Sequence, residues 1–285
     1  MKPETLSRVS GGGQGGGIAE ALDHVGVATA DLDAASAEWE RLGFALTPLA
    51  RHAPPAGTAN RCAMLREGYI ELIAVVDPHR PSATLQRFLA RYAGIHILSL
   101  AVGDEQAALA RLTRAGFTTA IVASARPANP RRPNGPQARF VRLPLTDAEP
   151  RLQLLRHLTP ELVWQKRFLR HPNNAVALDA VVIVDDPPAG LAARLSRAAG
   201  VAVVPDPAGG YALPLARGQV RVLPPEALQN VLPEVAIPSL PFVAGIIVRT
   251  GDGNASVNRL LRRRSTRLGT GRLAHAAGVA VLFGG

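Results

Sequence analysis

Two polar residues stand out because each lies alone in an apolar stretch. His24 sits between Ala21-Leu22-Asp23 and Val25-Gly26-Val27-Ala28, and Glu71 sits within Tyr69-Ile70-Glu71-Leu72-Ile73. Imidazole and carboxylate are the groups that move protons near neutral pH and that ligate divalent metals. A buried carboxylate without a partner shifts its pKa and neutralises. An inward Glu71 near His24 therefore calls for a partner, and a metal would be one. Two plainer readings stay open: an Arg61–Glu71 ion pair, and an edge strand that leaves Glu71 in water. His96, in Gly94-Ile95-His96-Ile97-Leu98, and His157, sharing a strand face with Gln153 and Leu155, are the further candidates.

Strands must present these groups, because alternate residues of a strand face one way. His24 shares its face with Gly26 and Ala28, whose small size leaves room beside it. The chain repeats one phrase: an apolar strand, an acidic turn, an Ala-rich helix and a Gly that stops it. Copies begin at Ala21, Gly94 and Ala177, and a weaker fourth begins at Phe242 with its helix over 254–264. Asp31 or Asp33 can cap the first helix and Gly43 can end it. Short strand-like runs separated by Pro and Gly follow, at 45–50, 59–65 and 69–75 in the first copy. The fold class read from this is α+β, with four tandem βαβββ units forming two paired curled-sheet domains. Residues 1–18 are expected to be a flexible leader. Residues 19–165 are expected to form the domain with the candidate site, and 166–285 a degenerate second domain.

The phrase Leu22-Asp23-His24-Val25, then Gly57-Thr58-Ala59-Asn60-Arg61, then Gly68-Tyr69-Ile70-Glu71-Leu72, resembles the bacterial glyoxalase-like family of the vicinal oxygen chelate superfamily. His157-Leu158-Thr159-Pro160-Glu161 through Trp164, followed by His171-Pro172-Asn173, is similar to that family too. The resemblance implies a metal in the concavity of the paired units, held by His24, Glu71, His96 and His157, with Glu71 also catalytic. Asn60 and Arg61 would contact substrate. The cofactor would be a divalent ion (Fe, Mn, Zn or Ni).

His96 lies one residue farther from Gly116 than His24 does from Gly43, and a one-residue slip reverses a strand face. Strict alignment would put Ile97 at the ligand position. Ala180 shares the longer spacing to Gly200, so the extra residue is assigned to the turn before the helix, leaving His96 inward. His157 is read as a ligand, a substrate contact or a residue at a helix start. Tyr69 is placed on the side opposite Glu71, as packing. In the second half Ala180 stands for His24, Arg221 for Glu71 and Val281 at the last carboxylate position, so no metal site can be built there.

Hydrophobic residues are 47% of the 285, enough for a core, and no apolar run approaches membrane-spanning length. One cysteine, Cys62, excludes an intramolecular disulfide. The formal net charge of +10 suggests nucleic acid, but the arginines are scattered apart from Arg262–Arg264 with Arg267, and stacking aromatics are few. The expectation is a cytoplasmic, metal-dependent glyoxalase- or dioxygenase-like enzyme with a small carbonyl or diol substrate. No nucleic-acid or membrane partner is expected, and a homodimer is compatible. The alternative is a non-catalytic small-molecule binder.

Overall fold

A computed structural model describes residues 17–52 and 55–284, so all but the end of the expected leader lies outside the described residues. The first unit is β1 (Ala19–Ala28), α1 (Leu32–Arg41), β2 (Ala50–Arg51), β3 (Thr58–Met64) and β4 (Tyr69–Val75). A linking helix, α2 (Ala83–Arg91), leads to β5 (Gly94–Val102), α3 (Glu105–Arg114), β6 (Val122–Pro127), β7 (Gln137–Leu145) and β8 (Arg151–His157). After α4 (Pro160–Val163) comes β9 (Ala175–Val184), α5 (Pro188–Ala199), β10 (Val204–Pro205), β11 (Tyr211–Pro214) and β12 (Gln219–Leu223). Then α6 (Pro225–Val231) leads to β13 (Phe242–Thr250), α7 (Ala255–Leu260), β14 (Thr266–Leu268), β15 (Gly271–Ala276) and β16 (Val279–Gly284). The four βαβββ units of the α+β class are all present. The fourth helix is shorter than its sequence suggests, because the Arg262–Arg264 run turns in solvent.

Local chemistry explains the repeats. Asp31 accepts from the amides of Asp33 and Ala34 at the start of α1, and Asp104 does the same for Gln106 and Ala107 at α3. Gly43, Gly116 and Gly200 take positive φ of 85°, 83° and 71° after the helices, where an L side chain would be strained.

The strands join one curled 16-stranded sheet. In each unit the first strand runs parallel to the last: β1 with β4, β5 with β8, β9 with β12 and β13 with β16. Antiparallel pairing of first strands, β1 with β5 and β9 with β13, couples units two by two. Val243 pairs with Ile95 to carry the sheet from one half to the other, and isolated bridges Ala21–Arg217 and Glu67–Ala177 also join them. Helix residues such as Leu32, Trp39, Ala108 and Leu195 pack with Ile70, Leu72, Leu98 and Val181 to make the main core. The other sheet face is left for the concavity.

Both couplings contain the same irregularities. In the first half β1 carries an extra residue between Leu22 and His24, and β5 carries one between Ile95 and Ile97. In the second half the extra residues fall between Leu178 and Ala180 and between Val243 and Gly245. A β-bulge places two residues opposite one and changes which side chains face in. The additional residue of the second unit is thus His96, inside the strand, and not in the turn before α3. The register also fixes the equivalences. His24 pairs with Tyr69 and Gly26 with Glu71, as Ala180 pairs with Gln219 and Val182 with Arg221. In unit two Ile97 pairs with Arg151 and Ser99 with Gln153. In unit four the last-strand position falls on Leu282, not Val281, because Ile247 faces both Ala180 and Leu282.

Candidate functional site

Strands of the first two units meet at a cavity of about 880 Å³ lined by His24, Asn60, Tyr69, Glu71, Gln153 and His157, with Ile97 and Phe88 on its apolar side. Its size suits a small molecule. Strand alternation delivers each group. On β4, Ile70 and Leu72 enter the core while Tyr69, Glu71 and Ile73 face the cavity. Tyr69 is therefore not on the side opposite Glu71, since residues two apart share a face. It stacks on the His24 ring at 4.3 Å between centroids.

The polar centre is built around His24, which is 3% exposed. Its Nδ1–H donates to Asp23 Oδ1 at 2.6 Å, leaving Nε2 as the acceptor. Ser99 Oγ–H donates to that Nε2 at 2.8 Å, and Gln153 Nε2–H donates to Ser99 Oγ at 2.7 Å. Glu71 Oε2 lies 3.9 Å from His24 Nε2. Asn60 Nδ2–H donates to Glu71 Oε1, and Asn60 also meets His52 Nε2 at 3.2 Å. His157 Nε2–H donates to Asp23 Oδ2 at 3.0 Å, while its buried Nδ1 has no partner.

Both carboxylates stay ionised in this setting. Burial pushes Asp23 upward, but hydrogen bonds from His157 and His24 outweigh it and bring the group down to about 2. Burial likewise pushes Glu71 up, yet the field of His24 and His52 and the Asn60 hydrogen bond hold it below its usual range. Burial pushes the Cys62 thiol up to about 12, which makes it a packing group and not a nucleophile.

Of the residues singled out from the sequence, His24, Glu71, Asn60 and His157 meet at this cavity. His96 does not. It lies outside the cavity lining, fully buried between Phe88 and Tyr92 at centroid distances of 4.6 and 4.0 Å, with Nε2–H donating to Tyr92 O. Ile97 takes the inward place. Arg61 is also turned away, since Asn60 and Cys62 occupy the inward positions of β3. Its guanidinium bonds Thr47 O and Glu40 Oε1, both at 3.1 Å. The sequence reading missed Asp23, Ser99 and His52, and also Arg126, Arg142 and Arg151 on the cavity wall. Alternation along Arg151, Gln153, Leu155 and His157 was the available signal for the last of these arginines.

The four positions related by the repeat hold His24, Glu71, Ile97 and Gln153. An alkyl chain ligates nothing and an amide is a poor substitute for imidazole or carboxylate, whereas a catalytic metal site keeps three good protein ligands. Among the described residues no three His, Cys, Asp or Glu converge to hold a metal. The donor set does not fit a divalent metal centre, and the quartet expected from the sequence is not assembled.

A family model described as a glyoxalase-like domain matches residues 22–199. Among solved structures, a hypothetical protein from Staphylococcus aureus is similar with a TM-score of 0.67 at 11% identity, covering 92% of this chain and 98% of that one. A triple mutant of 4-hydroxymandelate synthase from Streptomyces coelicolor gives 0.61 at 13% identity, covering 93% and 92%. At such identities the likeness is one of fold. No curated protein sequence matches. No described helix is long and apolar enough to cross a membrane.

Proposed function

The chain belongs to the glyoxalase-like domain family of the vicinal oxygen chelate superfamily, and from that membership we propose an acid–base enzyme acting on a small carbonyl-bearing substrate. One observation carries the reading: Glu71 Oε2 and His24 Nε2 face one cavity 3.9 Å apart, each fixed from behind by another residue. Superfamily members typically use a divalent metal. Here the donor set supports chemistry by the side chains themselves. Glu71, held ionised, takes a proton from the carbon beside the carbonyl. Asp23 fixes the tautomer and orientation of His24 and balances the charge the ring gains when it carries that proton back. Ser99, held by Gln153, positions Nε2. The bulk of Ile97 and Phe88 excludes water from the site.

Activity is assigned to the half spanning 19–165. The equivalent positions of 166–285 hold Ala180, Arg221, Gly245 and Leu282, none of them an acid–base pair, so that half is assigned a supporting role. The test is exchange of α-hydrogen for deuterium in a panel of 2-oxo acids and 2-oxoaldehydes, followed by NMR. The expected result is exchange that persists in chelator and falls at least about 100-fold in Glu71→Gln. Exchange unchanged in Glu71→Gln, or abolished by chelator and restored by a metal, would overturn the reading. A second reading, capture without turnover, is favoured by the number of arginines in the cavity wall. It would show as ligand binding with no exchange.

A further inference from the structure

The cavity wall formed by β6, β7 and β8 is strongly cationic. Arg126, Arg142 and Arg151 line it, and among the described residues Glu71 is the one carboxylate that shares the lining. Elsewhere in the chain arginines find acids: Arg61 with Glu40, Arg156 with Glu105, Arg194 with Asp147, Arg221 with Asp206 and Arg249 with Asp179. Among the described residues, none of Arg126, Arg142 and Arg151 has a carboxylate within 4.0 Å, and Arg51 of β2 adds a fourth arginine to the lining. Arg142 donates to Ser124 Oγ at 3.3 Å, but its Nε and the Nε of Arg151 are buried without a partner. Burial and the neighbouring Arg142 both lower Arg151 from its ordinary value, so two like charges share a partly dry site. A half-buried guanidinium with a buried, unpartnered Nε is costly, and a planar anion satisfies its N–H groups two at a time. The attraction of Glu71 is already divided among His24, His52 and Arg126.

We propose that Arg126, Arg142 and Arg151 form an anion subsite, which takes the carboxylate or phosphate ester of a substrate whose apolar body lies on Phe88, Ile97 and Phe140. The inference rests on the proposed active site for its location and names the substrate class: an amphipathic anion with its reacting carbon toward Glu71. It also replaces Arg61 as the anchor, since that side chain points away from the cavity.

Calorimetric titration of the full chain with phenylacetate, phenyl phosphate and neutral phenylacetamide, at constant ionic strength, tests it. At least one anion should bind at least about tenfold more tightly than the amide, and the two anions distinguish carboxylate from phosphate. Arg142→Gln/Arg151→Gln should lose that preference, while Glu71→Gln should keep it. Equal binding of amide and anions by the wild-type chain, binding of none of the three, or anion affinity unchanged in the double variant would overturn the subsite. The wild-type comparison decides even if the double variant fails to fold. Anion binding without deuterium exchange would sink the proton-transfer reading alone, and exchange without anion preference would sink this one alone.

Discussion

Burial holds His96 neutral. Desolvation lowers its pKa from 6.5 to about 4, although the Tyr92 carbonyl favours the protonated ring. The folded state therefore binds fewer protons than the unfolded chain between those values, so this stabilisation is complete above pH 6.5 and is lost as pH falls toward about 4. The shift corresponds to at most about 3 kcal/mol. His96→Phe, which keeps a ring between Phe88 and Tyr92, should flatten the decline of denaturation midpoint between pH 6.5 and 4. His52 and His171, also lowered by burial, leave a residual slope. Parallel pH profiles for the two proteins would rule the account out. The same residue shows the limit of sequence reading at this scale. His24 and Glu71 were legible because each is a polar residue alone on a strand face. His96 has the same signature, and only the bulge beside it decides that Ile97 faces the cavity instead.

The bulges are features of paired strands, and no local pattern in Ile95-His96-Ile97 announces one. The strand–helix–strands order was legible because caps, stop glycines and alternation are local. The equivalence of Arg221 with Glu71 was legible too, and the structure shows what the change accomplished. Arg221 on β12 makes a two-pronged pair with Asp206, Nε to Oδ2 at 2.6 Å and Nη2 to Oδ1 at 2.7 Å. Asp206 is 7% exposed, and the Arg221 hydrogen bonds hold its carboxyl below the usual range against burial. The pair closes the position that in β4 is open to a ligand. Removing one member of a buried pair leaves the other charged and unsatisfied, at a cost of about 3–5 kcal/mol. Since Asp206 sits near the edge of the sheet, Arg221→Ala should lower stability by the lower end of that range or somewhat less. Denaturant unfolding would show it, and the exchange activity assigned to the other half should be unchanged in folded protein. A stability equal to wild type would mean that the pair is not structural.

At the scale of the whole chain the +10 charge resolves into arginines that pair, arginines that line the cavity and an exposed run at 262–264, which is a poorer clue than the repeat. The two halves are also less separable than their repeat suggests. His171 accepts from Ala45 N and donates to Met64 O, and Asn173 donates to Leu42 O, so residues just beyond the expected boundary finish the end of α1 and the turn after β3. Arg111 on α3 donates to the carbonyls of Arg197 and Ala198 at the end of α5, and Glu38 accepts from Ala277 N at 2.6 Å. Phe44 stacks on Phe283 at 5.8 Å, each about fully buried. Residues 1–165 alone would expose the Phe44 ring and lose the side-chain donors to Leu42 O and Met64 O, and the apolar surface laid bare is large against a domain stability of about 5–15 kcal/mol. The isolated segment should therefore bind a hydrophobic dye and lack a cooperative thermal transition, whereas the full chain should unfold in one. A 1–165 segment that unfolds cooperatively near the full-chain midpoint would show that the second half is an appendage, and that the cavity owes its geometry to the first two units alone.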